Sequence, residues 1–306
     1  MNTINSFASA LIQQTKQAGC YSTSSTYSSA RNSFLRFTGN RSITFEELTP
    51  GLIKQYEARL LGGGQRHNTI SAYMRMLRSI SYQAAGQGVP FKHSVGDLFA
   101  HVFTGYEPTI KRAISPLVLQ RLASLDLEKK PTLRFSRDMF LLSFYLRGIS
   151  FVDLAHLRHT DVKNNTIYYY RQKTRQQLSV YIESYAAQII NRYSSKATSS
   201  PYLLPIISLT GEDGYRQYKS ALRLHNQHLH VLSKMLQLSS PLTSYVARHS
   251  WATTAKNEGV PISVISESLG HTSEKVTHVY LASFDNNAMS KANKKVIAAI
   301  HPNKKK

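Results

Sequence analysis

Arg248, His271 and Tyr280 share one late stretch of the chain. It runs Thr243-Ser244-Tyr245-Val246-Ala247-Arg248-His249-Ser250-Trp251-Ala252-Thr253, then Leu269-Gly270-His271, with Tyr280 following. A guanidinium grips anionic oxygens with forked donors and stays charged at any working pH. An imidazole can pass protons near neutrality. A phenol has a free pKa of roughly 10, and nearby positive charge favours its nucleophilic phenolate. Thr243 or Ser244 can cap a helix ending near Gly259, Pro261 can open the next and Gly270 close it, and Ser273 can cap a third that carries Tyr280. Consecutive short helices of this kind can bring the three groups to one place.

The charge of the whole chain fits an anionic target. Its 306 residues contain 38 Lys and Arg against 17 Asp and Glu, a formal net charge of +21. A hydrophobic share of 42% and aromatic share of 10% exclude a basic disordered tail and predict folded cores in about two domains. The charge therefore points to a polyanion. The single cysteine, Cys20, excludes an internal disulfide framework and a cysteine-based zinc site, and is expected to be a small apolar filler. His225 and His228 have helical spacing beside His230, but lack a carboxylate or cysteine companion, and His156 and His159 read the same way; no metal and no cofactor are expected. The first residues show no signal-peptide pattern and no apolar run reaches membrane-spanning length, so the expectation is a cytoplasmic protein without a membrane partner.

Upstream, the first hundred residues read as helices joined by polar turns. Amphipathic pieces cover Ser6 to Lys16 and Ser25 to Phe37, Thr44 to Glu47 resembles a capping sequence, and Pro50 opens a helix through Leu61 before Gly62-Gly63-Gly64. Asn68 or Thr69 is expected to cap the clearest helix, in which Ile70, Tyr73, Met74, Leu77 and Ile80 form one apolar stripe. Arg66, Arg75 and Arg78 fall off that stripe and are candidate contacts to the polyanion. After a Gly- and Pro-containing linker, helical patterns run from Pro116 to Leu125, Phe135 to Leu146 and Ser150 to Leu157. Thr166 to Tyr170 and Leu178 to Tyr181 then read as strands flanking a polar turn, and the remainder as helices with breaks that include Gly211 and Gly214. The expected fold is mainly α with a small β-sheet (α+β). It divides into a helical domain over 1–105, a linker over 106–113 and a second domain over 114–306.

The ordered set of motifs in this second domain resembles the tyrosine recombinase (phage integrase) family. Tyr145-Leu146-Arg147-Gly148-Ile149-Ser150, with Asp153 and Leu154 beyond, is similar to the first-arginine box. Ala247 to Thr253 is similar to the second-arginine box, Leu269-Gly270-His271 to the late histidine motif, and Tyr280 has the family's nucleophile spacing from His271. Lys173, between the two strand patterns, matches the hairpin lysine, with Lys163, Arg171 and Arg175 as nearby alternatives. The family's usual histidine three residues before the second arginine is Tyr245 here, which disturbs proton handling normally divided between two histidines.

The resemblance implies an N-terminal core-binding domain and a C-terminal tyrosine-recombinase catalytic domain. Arg147 and Arg248 would clamp the phosphate, Tyr280 would attack it, Lys173 would act as general acid and His271 would hold the phosphate or assist proton transfer. Tyr245, His249 and Asp153 would be supporting residues, and Arg175 a further DNA contact. Simpler roles for these residues are a helix C-terminal charge at Arg147, a local cap or arginine orienter at Asp153 and packing at His249. The implied activity is site-specific recombination through a 3′-phosphotyrosyl link, giving inversion, integration, excision or resolution. The implied partners are duplex DNA with a recombination site and a homotetramer on two such sites, joined through the segment from Asp285 to Ile300. DNA relaxation of the type IB topoisomerase kind, and DNA binding with impaired catalysis, remain the alternatives.

Overall fold

The computed structural model describes residues 3–107, 112–194 and 200–271, together with 273, 277 and 293. The chain divides into two compact units, Met1–Thr109 and Ile110–Lys306. No helix among the described residues is long and apolar enough to cross a membrane.

The first unit is helical: α1 (Ile4–Gln17), α2 (Tyr21–Phe37), α3 (Pro50–Gly62), α4 (His67–Gly86) and the short α5 (Val95–Leu98). Its core joins Phe7 and Leu11 of α1, Phe34 of α2, Ile53 and Tyr56 of α3 and the expected α4 stripe of Ile70, Met74, Leu77 and Ile80. Tyr73 of that stripe is only partly buried against this core. Proline at the first helical position and a bond from Leu52 N to Thr49 Oγ1 at 3.1 Å start α3.

The cap foreseen at Asn68 or Thr69 is not used. Arg66 is the N-cap of α4 and makes no side-chain cap bond. Asn68 instead exchanges two 2.8 Å hydrogen bonds with the Glu107 backbone, donating from Nδ2 to its carbonyl and accepting from its N–H at Oδ1. Ser71 Oγ adds a 2.6 Å bond to the Gly105 carbonyl. These bonds seat the chain after α5 on α4. Cys20 corrects the apolar-filler expectation: it is exposed, at the N-cap of α2.

The second unit continues with α6 (Pro116–Ala123), α7 (Pro131–Tyr145), α8 (Phe151–His156) and a 3-10 turn (His159–Asp161). Strands β1 (Val162–Lys163), β2 (Thr166–Tyr170) and β3 (Gln177–Tyr181) follow, then α9 (Ser184–Ser194), α10 (Gly211–Met235), α11 (Ser244–Asn257) and α12 (Ile262–Ser268). The antiparallel sheet has the order β1-β2-β3, with Ile167 opposite Val180 and Tyr169 opposite Leu178. Ile167, Tyr169 and Val180 face the core, whereas Tyr168, Tyr170 and Tyr181 are exposed. This is the period-two alternation of a half-buried sheet. The core runs from Leu122 and Leu142 through Leu154 to Leu229, Leu232 and Ala247.

Pro131 starts α7 earlier than its apolar pattern suggested. The break expected at Gly214 does not occur, because this glycine lies inside α10. A Cβ there would come within 2.3 Å of the Leu209 carbonyl oxygen, so close backbone approach explains the residue. His225 and His228 serve packing on the same helix. The His225 ring stacks on Phe151 at 4.3 Å, and His228 Nδ1 bonds Ser136 Oγ at 2.9 Å.

Candidate active site

The candidate site begins where α7 ends. Leu146 is the C-cap, and the next two residues adopt left-handed backbone, Arg147 at φ 56° and Gly148 at φ 72°. Ser150 then caps α8 by accepting from the Asp153 N–H at 3.3 Å. This sharp turn leaves the Arg147 side chain exposed and brings the Gly148 backbone against α11. A Cβ on Gly148 would sit 3.1 Å from both Cα and Cγ of Arg248. Glycine therefore serves both the backbone conformation and the close approach.

Arg248 is only 2% exposed. Its Nη1 donates to the Gly148 carbonyl at 2.8 Å, and its Nη2 donates to the Leu269 carbonyl and to His271 Nε2, the latter at 3.2 Å. One guanidinium thus joins the turn after α7, its own helix α11 and the turn after α12. Burial, then repulsion from Arg171, lowers the Arg248 pKa to about 10.

The partners of His271 define its protonation. Arginine can only donate, so Nε2 is an acceptor; Nδ1 carries the proton and donates to Thr277 Oγ1 at 2.8 Å. Burial, followed by the charges of Arg248, Arg171 and Lys173, pushes its pKa down to about 4. The ring is neutral at physiological pH.

The β2–β3 hairpin supplies the third side. Arg171 N donates to the Gln176 carbonyl and Arg175 N to the Arg171 carbonyl, both at 2.9 Å, closing a turn that holds Lys173 in solvent. Arg175 lies in this turn with left-handed φ 59°. Asp153 fixes the turn from α8: one carboxylate oxygen accepts from Gln172 N at 2.8 Å and the other from Ser150 Oγ at 2.6 Å. The arginine-orienting reading of Asp153 has a counterpart here, since Arg171 Nε lies 3.8 Å from its carboxylate, whereas the cap of α8 is Ser150.

Arg147, Lys173, Arg248 and His271 therefore belong to one neighbourhood. The charges of Arg248, Arg171 and Arg147 all act on the buried Tyr169 hydroxyl, though burial and Asp153 dominate and raise its pKa. Tyr245 is exposed, and its ring meets His249 edge-on at 5.1 Å. Tyr280 and the segment from Asp285 to Ile300, apart from 293, lie outside the described residues. Arg66, Arg75 and Arg78 stand on or beside α4 in the first unit, Arg66 and Arg75 exposed and Arg78 half-buried. Among the described residues no cluster of His, Cys, Asp and Glu has the makings of a metal site.

Two residues of this neighbourhood have no counterpart in the motif pattern. Tyr169 reads in sequence as an ordinary strand residue. Arg171 looked like a substitute for Lys173, yet its side chain points inward, is 6% exposed and donates from Nη1 to the Gly270 carbonyl. The alternation of β2, which buries Ile167 and Tyr169, places Arg171 on the same inward side and was the available signal.

Residues 125–287 match the model of the phage integrase family, over half of the chain. The chain belongs to the phage integrase family. Residues 3–94 match the family's SAM-like domain. Searched by sequence, the curated proteins contain no match. Among solved structures, the Tn1549 transposon integrase in complex with a circular intermediate DNA is similar at a TM-score of 0.64 and 15% identity, covering 96% of this chain and all of that one. A lambda integrase dimer bound to a COC′ core site is similar at 0.65 and 14%, covering 93% of this chain and 79% of that one. A lambda integrase tetramer bound to a Holliday junction is similar at 0.63 and 13%, covering 87% and 74%. At these identities the likeness is one of fold.

Proposed function

We propose that this phage integrase family member is a site-specific DNA recombinase that cuts and rejoins strands through a 3′-phosphotyrosyl intermediate. The observation that carries the reading is the junction at Arg248, which ties the Arg147–Gly148 turn to the His271 turn beside the Lys173 hairpin. A group of cations of this kind suits a phosphodiester, whose non-bridging oxygens gain charge during attack.

In the proposed reaction, Arg147 and Arg248 hold the non-bridging oxygens. The Tyr280 phenol releases its proton to solvent as its oxygen bonds to phosphorus. The bond to the 5′-oxygen breaks, and Lys173 gives that oxygen a proton. His271, neutral and hydrogen-bonded to Arg248, orients the guanidinium without adding charge of its own. A 5′-hydroxyl of a partner strand then returns a proton to Lys173 and attacks the phosphotyrosine; the bond from phosphorus to the Tyr280 oxygen breaks and the phenol regains a proton from solvent. The phosphodiester energy is retained in the covalent link, so the cycle needs no nucleotide cofactor.

The first unit, with Arg66, Arg75 and Arg78, would hold duplex DNA, and Arg175 would add a contact from the hairpin. Assembly as four copies on two sites is supported by the integrase complexes of similar fold. DNA selected by the wild-type protein from a random-sequence duplex pool, then nicked as a suicide substrate, tests the reading. A covalent adduct that disappears in Tyr280→Phe is expected. Selected DNA that is bound but never linked would reject strand exchange and leave a binding protein. Adducts accompanied only by plasmid relaxation, without site-paired products, would mark a topoisomerase.

A further inference from the structure

We propose that Arg171 is a positioning residue for strand cleavage, fixing the Lys173 hairpin against the backbone that carries His271. The inference rests on the recombinase reading above.

The side chain leaves the end of β2 and enters the protein. Nη1 donates to the carbonyl of Gly270, the residue before His271. Nε faces the Asp153 carboxylate, which itself holds the hairpin through Gln172 N. The fit is close: a Cβ on Gly270 would lie 2.6 Å from Arg171 Cδ. Arg171 thus fixes, from one position, the residue preceding a proposed catalytic histidine and the turn carrying a proposed general acid.

A purely structural role explains the geometry poorly. Arg171 and Arg248 are two buried cations, and Asp153 is the buried carboxylate that faces them. Burying like charges together costs stability, and an apolar residue of similar volume would pack the hairpin without that cost. The excess positive charge gains a counter-charge when an anionic phosphodiester enters. Lysine would keep the charge but lose the planar fork that reaches a carbonyl and a carboxylate together.

The test uses the full chain and the binding-selected nicked duplex, comparing wild type, Tyr280→Phe, Arg171→Ala and Arg171→Lys. Under single-turnover conditions at saturating DNA, Arg171→Ala is expected to form adduct about 100-fold more slowly, the scale of a misplaced reacting group. The half-saturating DNA concentration should stay within about threefold of wild type, marking a loss in the chemical step. Arg171→Lys should remain slow, with a wild-type melting profile. Wild-type adduct with both variants at wild-type speed would overturn the positioning role alone, as would a defect confined to the half-saturating concentration. Unfolding of both variants below the assay temperature would assign Arg171 to the fold and also overturn it. Absence of adduct even from wild type would defeat the recombinase reading and this inference with it.

Discussion

Arg248 Nη1 donates to the carbonyl of Gly148 at 2.8 Å, so the second arginine of the site holds the backbone directly after the first, Arg147. Placement of the exposed Arg147 side chain thus depends on a buried guanidinium that lies 100 residues beyond Gly148 in the chain. The same guanidinium reaches Leu269 and His271. Fold stability and site geometry are coupled through this one side chain.

Arg248→Ala is therefore expected to lose stability as well as activity. It leaves the Gly148 and Leu269 carbonyls without their donor, at about 1–3 kcal/mol for each buried acceptor left unpaired. Urea denaturation should show a lower midpoint with an unchanged slope. A wild-type midpoint would contradict the tie between α7, α11 and α12.

Gly148→Ala tests the same junction from the other side. A left-handed backbone costs an L-residue about 1–2 kcal/mol, and the new methyl would press on Arg248 at 3.1 Å. Adduct formation should fall sharply while the affinity of the chain for the selected duplex changes little. Calorimetric melting and gel shift separate the two effects.

Much of this was legible in the sequence. The α4 stripe, the strands Thr166–Tyr170 and Gln177–Tyr181, and the helices around Arg248 follow from apolar period and from Pro, Gly and Ser punctuation. The motifs placed Arg147, Lys173, Arg248 and His271 in chain order. Sequence could not show that Asn68 would bond Glu107 instead of capping α4, because both uses satisfy the same amide and tertiary packing decides between them. Gly214 resembled a breaker because close packing against Leu209 leaves no local signature. Arg171 read as an alternative to Lys173 for a related reason: only the pleat of β2 and the position of Gly270 turn it inward.

Arg175 should separate DNA affinity from stability. Its left-handed φ of 59° disfavours any side chain, so Arg175→Gly relieves about 1 kcal/mol of strain. If Arg175 contacts a phosphate as proposed, removing its charge should also flatten the salt dependence of binding by about 0.9 in log–log slope. The expected variant melts higher and binds duplex DNA more weakly at low salt. If binding keeps the wild-type salt slope, Arg175 is no phosphate contact.

Acid sensitivity should follow from two neutral histidines. Burial, with a smaller contribution from the neighbouring His228, lowers His225 to about 3, and His271 stands at about 4. Both lie below the ordinary value of 6.5, so the unfolded chain takes up protons at these positions before the folded chain does. Their contribution to stability is fully present above pH 6.5 and is lost as pH falls through 4 and then 3. His225→Asn removes one of the two, and the fall in urea midpoint between pH 6.5 and 4 should become shallower even though the variant starts lower for lack of the Phe151 stack. His271→Asn should likewise remove a share of the acid dependence. Bound duplex adds a nearby negative charge that raises the pKa of His271, so DNA should move the acid limb attributable to His271 upward and leave that of His225 in place. Equal shifts for the two histidines would contradict a phosphate beside His271.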